Sequence, residues 1–403
     1  MSSRQRLSIC YAAPGQNLLP SAGPTRNVLN VANALSQWAD VTVAFRSVWE
    51  TVNADKYKVI AIEPHPVMSI NRKDDNATRG FYPLQHLSYC RTLRSFSQQA
   101  SSYDVVLEKG WRLSGYLLDG FRRRGIPGIL LENDVRLWSE PLTNIRAMAK
   151  YILHSTAHRV ASRCSRRASA VIAETAELKT MLVEHRRLRP EQIEVVGLGV
   201  DHTLFCPMVQ RSARESLQLC PDAILLLYVG GMDEYHDLEP VIEAMGAVKQ
   251  PLVELHVVGD GEYRERCEAK ARRDKVSARF HGHVPHSKLP QYIGAADLCI
   301  APYRTSACHN GIIPFSTLKI PEYMACGRPV VSVPSGSIER LIEHGVSGFL
   351  FSNEVSAWTS FLKTLPSREQ LGQMGAAAAQ AVDSVSWEKT AMRYLQVCER
   401  LIA

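Results

Sequence analysis

The stretch ILLLYVGGMDEYHDLEPVIEAM, residues 224–245, runs apolar, breaks at a glycine pair and resumes with helical periodicity. Ile224 to Gly230 reads as a strand buried on both faces, as parallel strands covered by helices are. DLEPVIEAM then reads as the helix that covers it, so this single stretch predicts one βα unit. Working outward, the same unit repeats. LHVVG (Leu255 to Gly259), ARFHG (Ala278 to Gly282), DLCIAP (Asp297 to Pro302), RPVVSV (Arg328 to Val333) and GFLF (Gly348 to Phe351) follow as strands, with helical stretches such as SKLPQYIGAA between them.

Upstream lies a second series. LSICYAA (Leu7 to Ala13) reads as a strand. Arg26 to Ala39 reads as a helix, because Val28, Val31, Leu35 and Trp38 share a face. Further strands are predicted at Val41 to Phe45, Tyr103 to Glu108, Gly128 to Glu132, Ala168 to Ala173 and Ile193 to Gly197. Strands alternating with helices in this way predict α/β domains with parallel sheets. A chain of 403 residues is long enough for two of them. The polar, turn-rich GLGVDHTLFCP (Gly197 to Pro207) predicts a linker, and two doubly wound domains facing one another across a cleft are the expected architecture. Ligands of such sheets bind beyond the carboxyl ends of the strands.

Composition narrows the function. Hydrophobic residues make up 45% and charged residues 22%, with no apolar run of the roughly 18 residues a membrane span needs. The N-terminal apolar run breaks at Pro14 and Gly15, too soon for a secretory signal. Ten cysteines form no C-x-x-C pair, which argues against a zinc site and a disulfide framework and predicts reduced thiols in the cytoplasm. Charge is uneven. Residues 1–200 hold 27 Lys and Arg against 17 Asp and Glu, hence +10, whereas the remainder holds 20 against 23, hence −3. Arginine clusters at 122–124, at 159, 163, 166 and 167, and at 186, 187 and 189 are either solvated helix faces or a surface for an anionic acceptor or an anionic membrane. Nucleic acid is not an expected partner.

Chemistry concentrates at strand ends. Gly230 and Gly231 would let backbone approach a ligand, and the following helix start, after Tyr235 and His236, would favour a diphosphate. Gly259 and Gly261 form a second sharp turn, which structure alone could explain. His281 and His283 lie two apart across a likely strand end and read as structural or base-contacting groups, with no shared metal expected. In HNGIIPFSTLKIPEYMACGRPVVSVPSG, residues 309–336, a polar turn at Pro314 leads into a helix that Gly327 ends. Lys319 and Glu322 share one face of that helix. They are either an ordinary helix ion pair or the cation and carboxylate that a nucleotide sugar needs, one for the leaving diphosphate and one for the ribose hydroxyls.

Taken in order and spacing, these segments resemble glycosyltransferase family four, a retaining family with the GT-B fold, over nearly the whole chain. FSTLKIPEYMACGRPVV is similar to the family's signature helix, whose ribose-gripping glutamate matches Glu322, with Thr317 and Leu318 just before it. YVGGMDEYHDL resembles the phosphate loop and VVGDGEYRER the second glycine turn. RFHGHVPHSKLPQYIGAADLCIAPY resembles the nucleobase region, which implies donor contacts from His283 and Val284. GLGVDHTLFCP looks like the interdomain linker and VSWEKTAMRYL like the terminal helix that crosses back to the first domain. The resemblance thus implies an acceptor domain at 1–200, a donor domain at 201–380 and a returning helix at 381–403.

Departures are specific. Where many members have an arginine and a lysine in the phosphate loop, this chain has Gly231 and His236. The position eight before Glu322, often a glutamate, is Pro314, and Lys319 would replace the missing phosphate contact with help from His236. In the first half PSAGPTRNVLNVANAL resembles the loop whose glycine, here Gly23, approaches donor phosphate or acceptor, with Arg26 following. No histidine follows YDVVLEKGW, so the acceptor side falls to polar strand ends: Lys109 beside Glu108, and the pair Glu132 and Asn133. The resemblance implies a retaining, metal-independent transfer from a UDP- or GDP-sugar to a glycan, lipid-linked or small-molecule acceptor, without a cofactor. A catalytically silent nucleotide-sugar binder and a GT-B epimerase or phosphorylase are the rival readings.

Overall fold

The computed structural model describes residues 6–18, 23–48, 55–63, 83–100, 102–135, 137, 141–248 and 253–403. Contacts divide the chain into two compact units, one of Met1–Leu198, Pro314–Ser316 and Trp387–Ala403, the other of Gly199–Ile313 and Thr317–Ser386.

In the first unit the strands are β1 (Leu7–Leu18), β2 (Ala39–Val48), β3 (Lys58–Ala61), β4 (Val105–Lys109), β5 (Gly128–Glu132), β6 (Ala170–Ala173) and β7 (Ile193–Val195). They form one parallel sheet in the order β3-β2-β1-β4-β5-β6-β7. Every residue of β4 and β5 is buried, because helices cover both faces. The predicted strand at Leu7 is longer than expected. It passes Pro14 and Gly15 through an irregularity, and pairing with β2 resumes at Asn17 opposite Ser47. The glycine fits there because a Cβ at Gly15 would lie 2.6 Å from Cβ of Trp111. The helix Gly23–Leu35 starts and ends earlier than its periodicity suggested. The C-terminal helix Trp387–Ile402 packs on it and buries Trp387, Tyr394, Val397 and Cys398.

The second unit holds β8 (Ile224–Val229), β9 (Val253–Val258), β10 (Ala278–Gly282), β11 (Leu298–Ala301), β12 (Val330–Ser332) and β13 (Gly348–Leu350). Their order, β10-β9-β8-β11-β12-β13, is again fully parallel. The chain winds outward one way from β8 and the other way from β11. The two strands adjoin at the point where winding reverses, which is where doubly wound sheets bind ligands beyond their carboxyl ends. Leu225, Leu226, Leu227 and Tyr228 are all but fully buried, as the opening stretch predicted. Both units are therefore doubly wound Rossmann-like domains.

Candidate active site

The loop after β8 is shaped by three local devices. Gly230 adopts φ 140°, and a Cβ there would meet Nζ of Lys319 at 2.6 Å, so the absent side chain makes room for an ammonium group. Asp233 then folds the loop: its Oδ1 accepts from the backbone N–H groups of Tyr235 (2.9 Å) and His236 (3.1 Å) and contacts His236 Nδ1 at 2.8 Å. Finally His236 bridges to Tyr303, beyond β11, while Arg304 clasps Asp237 with Nε and Nη2 at 2.9 and 2.7 Å. The loops after β8 and β11 are thereby held together as one polar rim.

A second glycine turn supports this rim from below. Gly259 sits at φ 134° and Gly261 at φ 159°; a Cβ on the first would lie 2.0 Å from the Gly230 carbonyl oxygen, and on the second 2.2 Å from that of Met232. These two glycines let one loop lie backbone against backbone on another, which is a packing role. Gly231 differs, since a Cβ there would find its nearest neighbour at 3.8 Å.

Lys319 opens the helix Lys319–Ala325, which ends at Gly327 with φ 69°, as predicted. Its Nζ donates to the Tyr228 hydroxyl at 3.0 Å and lies 4.3 Å from the centre of that ring and 5.7 Å from that of Tyr303. The Tyr228 hydroxyl in turn donates to the Gly231 carbonyl, and the Tyr303 hydroxyl donates to Oγ1 of Thr317 at 2.7 Å. Among these rings the ammonium loses water, and burial pushes the Lys319 pKa from 10.5 down to about 7, against the upward pull of Asp233 and Glu322. His236 is shifted down for the same reason, burial first and then the charge of Lys319, with Asp233 opposing. Asp233 resists its own burial through the hydrogen bond and charge of His236, which hold its carboxyl below the usual range. One turn along the helix, Glu322 lies 3.6 Å from Nε2 of His286, whose ring stands edge-on to Phe205. His283 is exposed and Val284 half-buried just beyond β10, while His281, within it, contacts His256 at 2.9 Å. Leu318 stands at the helix N-cap.

Taken together, the second unit gathers Gly230, Gly231, His236, Thr317 and Lys319 around one cationic point, with Glu322 a turn away. Sequence reasoning missed its supports. Tyr228 sits within an apolar strand and reads as core, and Asp233 was legible only as a polar residue three past a glycine. Among the described residues no group of three or more His, Cys, Asp or Glu could hold a metal ion.

In the first unit the nominated residues fare differently. Glu132 is 1% exposed and forms an ion pair with Arg186. Lys109 is likewise turned inward, 3.6 Å from Glu174. Both pairings have one cause: β4 and β5 are buried strands, and a charge at their ends must find a partner inside the protein. Glu108 organises a turn, accepting from Trp111 Nε1 (2.8 Å) and from the N–H groups of Gly115 (2.8 Å) and Leu118 (3.0 Å). Asn133 is half-buried, Arg26 is half-buried on the helix Gly23–Leu35, and Gly23 is that helix's first residue. The group not foreseen is Glu174, which receives Asn27 Nδ2 at 3.2 Å besides Lys109.

The second unit thus carries a glycine-lined cradle around Lys319 at the switch point of a doubly wound sheet, and the comparisons add what the chain is similar to. A family model described as "Glycosyl transferases group 1" matches residues 223–366. The chain is 28% identical over 238 residues to the D-inositol 3-phosphate glycosyltransferase of Geodermatophilus obscurus, covering 55% of this chain and 50% of that protein. It is 29% identical over 250 residues to that of Kribbella flavida, covering 57% and 55%. The chain thus spans about half the length of the curated relatives it matches. Among solved structures, sucrose-phosphate synthase from Thermosynechococcus elongatus superposes with a TM-score of 0.75 at 20% identity, covering 98% of this chain and 99% of that one. Anabaena HepE in complex with UDP and glucose gives 0.74 at 18%, covering 98% and 100%. The fold is therefore GT-B, and the matches support a place in the GT-B glycosyltransferase superfamily.

Proposed function

We propose that this chain is a retaining, metal-independent glycosyltransferase of family four that moves a sugar from a UDP- or GDP-sugar to an acceptor hydroxyl. The observation that carries the proposal is the Lys319 ammonium, seated in the space that Gly230 leaves and one turn from Glu322. A diphosphate over Gly230 and Gly231 would meet that cation, and Glu322 would accept from the ribose hydroxyls. The acceptor oxygen attacks the anomeric carbon from the face that the diphosphate leaves. As the sugar–phosphate bond breaks, the acceptor proton passes to the departing phosphate oxygen. Such a step asks the protein for charge stabilisation and positioning alone. HepE was solved with UDP-glucose, which makes UDP-sugars the first donors to try.

The rival is a silent nucleotide-sugar binder. It is favoured by the absence of Arg and Lys from Gly230 to Leu238, which leaves Lys319 as the loop's cation. A mass-spectrometric screen of UDP- and GDP-sugars without acceptor, with and without a chelator, separates the two. Slow release of one nucleotide, unaffected by chelator and lost in Lys319→Ala and Glu322→Ala, is the expected result. Nucleotide binding with no release from any donor, with or without supplied acceptors, would favour the silent binder, and release abolished by the chelator would refute metal independence.

A further inference from the structure

Outside the donor cradle, the first unit carries a helix whose exposed face is at odds with solvent. Ile145–Ser165 is capped by Asn144, whose side chain accepts from the Ala147 N–H at 2.9 Å. Its C-terminal turns are anchored, with Ala161, Ser162, Cys164 and Ser165 buried. Its N-terminal turns bury Ala147 yet expose large apolar side chains: Ile145 is 90% exposed, Met148 44% and Ile152 55%. At 100° per residue these three lie with Arg159 and Arg163 within a sector of about 60°. One face therefore presents an apolar foot followed by two exposed arginines. Arg146 and Lys150 are exposed on the far side of the helix, outside that sector, and from 141 to 173 the sequence contains no Asp or Glu.

We propose that this face docks on an anionic lipid bilayer, a surface role separate from sugar transfer. Large apolar side chains that enter the headgroup boundary, beside cations that meet lipid phosphates, are what an interfacial helix needs. Charge complementarity favours this occupant over a second copy of the chain, because two such faces would oppose Arg159 and Arg163 to their equals. A nucleic-acid backbone would pair the arginines but leave the isoleucines and Met148 wet. The helix lies flat on the surface and does not cross it: no helix among the described residues is long and apolar enough to span a membrane.

Co-sedimentation of the full chain with vesicles tests this, using phosphatidylcholine alone and an equal mixture with phosphatidylglycerol. The chain is expected to pellet with the mixed vesicles and not with the neutral ones, and to be released as salt rises from about 0.1 M to about 1 M. The double variant Arg159→Gln, Arg163→Gln should bind mixed vesicles roughly 30-fold more weakly, at about 1 kcal/mol for each surface cation. Ile145→Ser with Ile152→Ser should also release it, both variants keeping the parent circular dichroism and melting temperature. Failure to pellet with mixed vesicles, equal pelleting with neutral ones, or undiminished binding by either variant overturns the proposal. A concentration-dependent dimer that Ile145→Ser with Ile152→Ser abolishes, without vesicle binding, overturns it in favour of a second copy.

Discussion

At the scale of single residues, Lys319 makes the sharpest commitment. Its pKa is depressed from 10.5 to about 7, so between those values the folded chain binds fewer protons than the unfolded one. Stability should accordingly rise with pH across that window, with the cost of the buried ammonium fully present below about 7. A bound diphosphate reverses the balance by favouring the charged form. At pH 8 the free chain holds Lys319 mostly neutral, so binding of UDP should take up close to one proton, and affinity should fall as pH climbs above 7. Calorimetry in two buffers of different ionisation heat reads this directly. Lys319→Gln should abolish the uptake; an unchanged uptake would assign the proton elsewhere. Turnover of a competent donor should fall about 100-fold in Lys319→Ala, the scale of losing one charge-stabilising donor. Glu322→Ala should instead weaken UDP binding by roughly 1.5 to 3 kcal/mol, and an unchanged affinity would refute its ribose role. Lys319 and Glu322 were legible as a cation and a carboxylate on one helix face, a spacing that fits an ordinary ion pair equally well, and only the resemblance of the whole segment favoured a donor site. Glu132 was legible as a charge at a strand end, but its pairing was not, because Arg186 lies 54 positions away.

At the scale of elements, the glycine turns separate packing from ligand contact. Gly259→Ala would combine φ 134° with a Cβ 2.0 Å from a neighbouring carbonyl, and Gly261→Ala would be as crowded. Each should destabilise the second unit by a few kcal/mol, the scale of strain and overpacking together, with donor binding lost only as a consequence. Gly231→Ala has room, so its melting temperature should stay within about 2 °C of the parent while UDP affinity drops if backbone there meets phosphate. Equal affinity in that variant would remove Gly231 from the cradle. The same logic explains which elements could be read. Strands such as β8 and β5 are buried on both faces and announce themselves as apolar runs. β3 is a four-residue edge strand, exposed at Lys58 and only half-buried after it, and its short run Val59 to Ile62 sits directly behind the polar DKYK. β1 was cut short because Pro14 and Gly15 signal a turn, whereas the strand absorbs them as an irregularity that only its pairing with β2 reveals.

At the scale of the molecule, two units with separate cores should not melt as one two-state system. Gly230, Gly231, His236, Thr317, Lys319 and Glu322 all belong to the second unit, so UDP should raise that unit's transition. The stabilisation is about 2.7 kcal/mol at a hundredfold excess over Kd, which is roughly 5 to 10 °C for a unit of this size. The first unit depends instead on its last helix. Deleting Trp387–Ala403 removes the buried Trp387, Tyr394, Val397 and Cys398 from the face packed on Gly23–Leu35. Losing that much apolar surface should abolish or sharply lower the first unit's transition while the second unit still melts and still responds to UDP. Scanning calorimetry of the full and shortened chains, each with and without UDP, reads both effects at once. A UDP shift that disappears with the deletion would mean that the nucleotide is held by more than the second unit's residues, and the cradle built around Lys319 would then be incomplete.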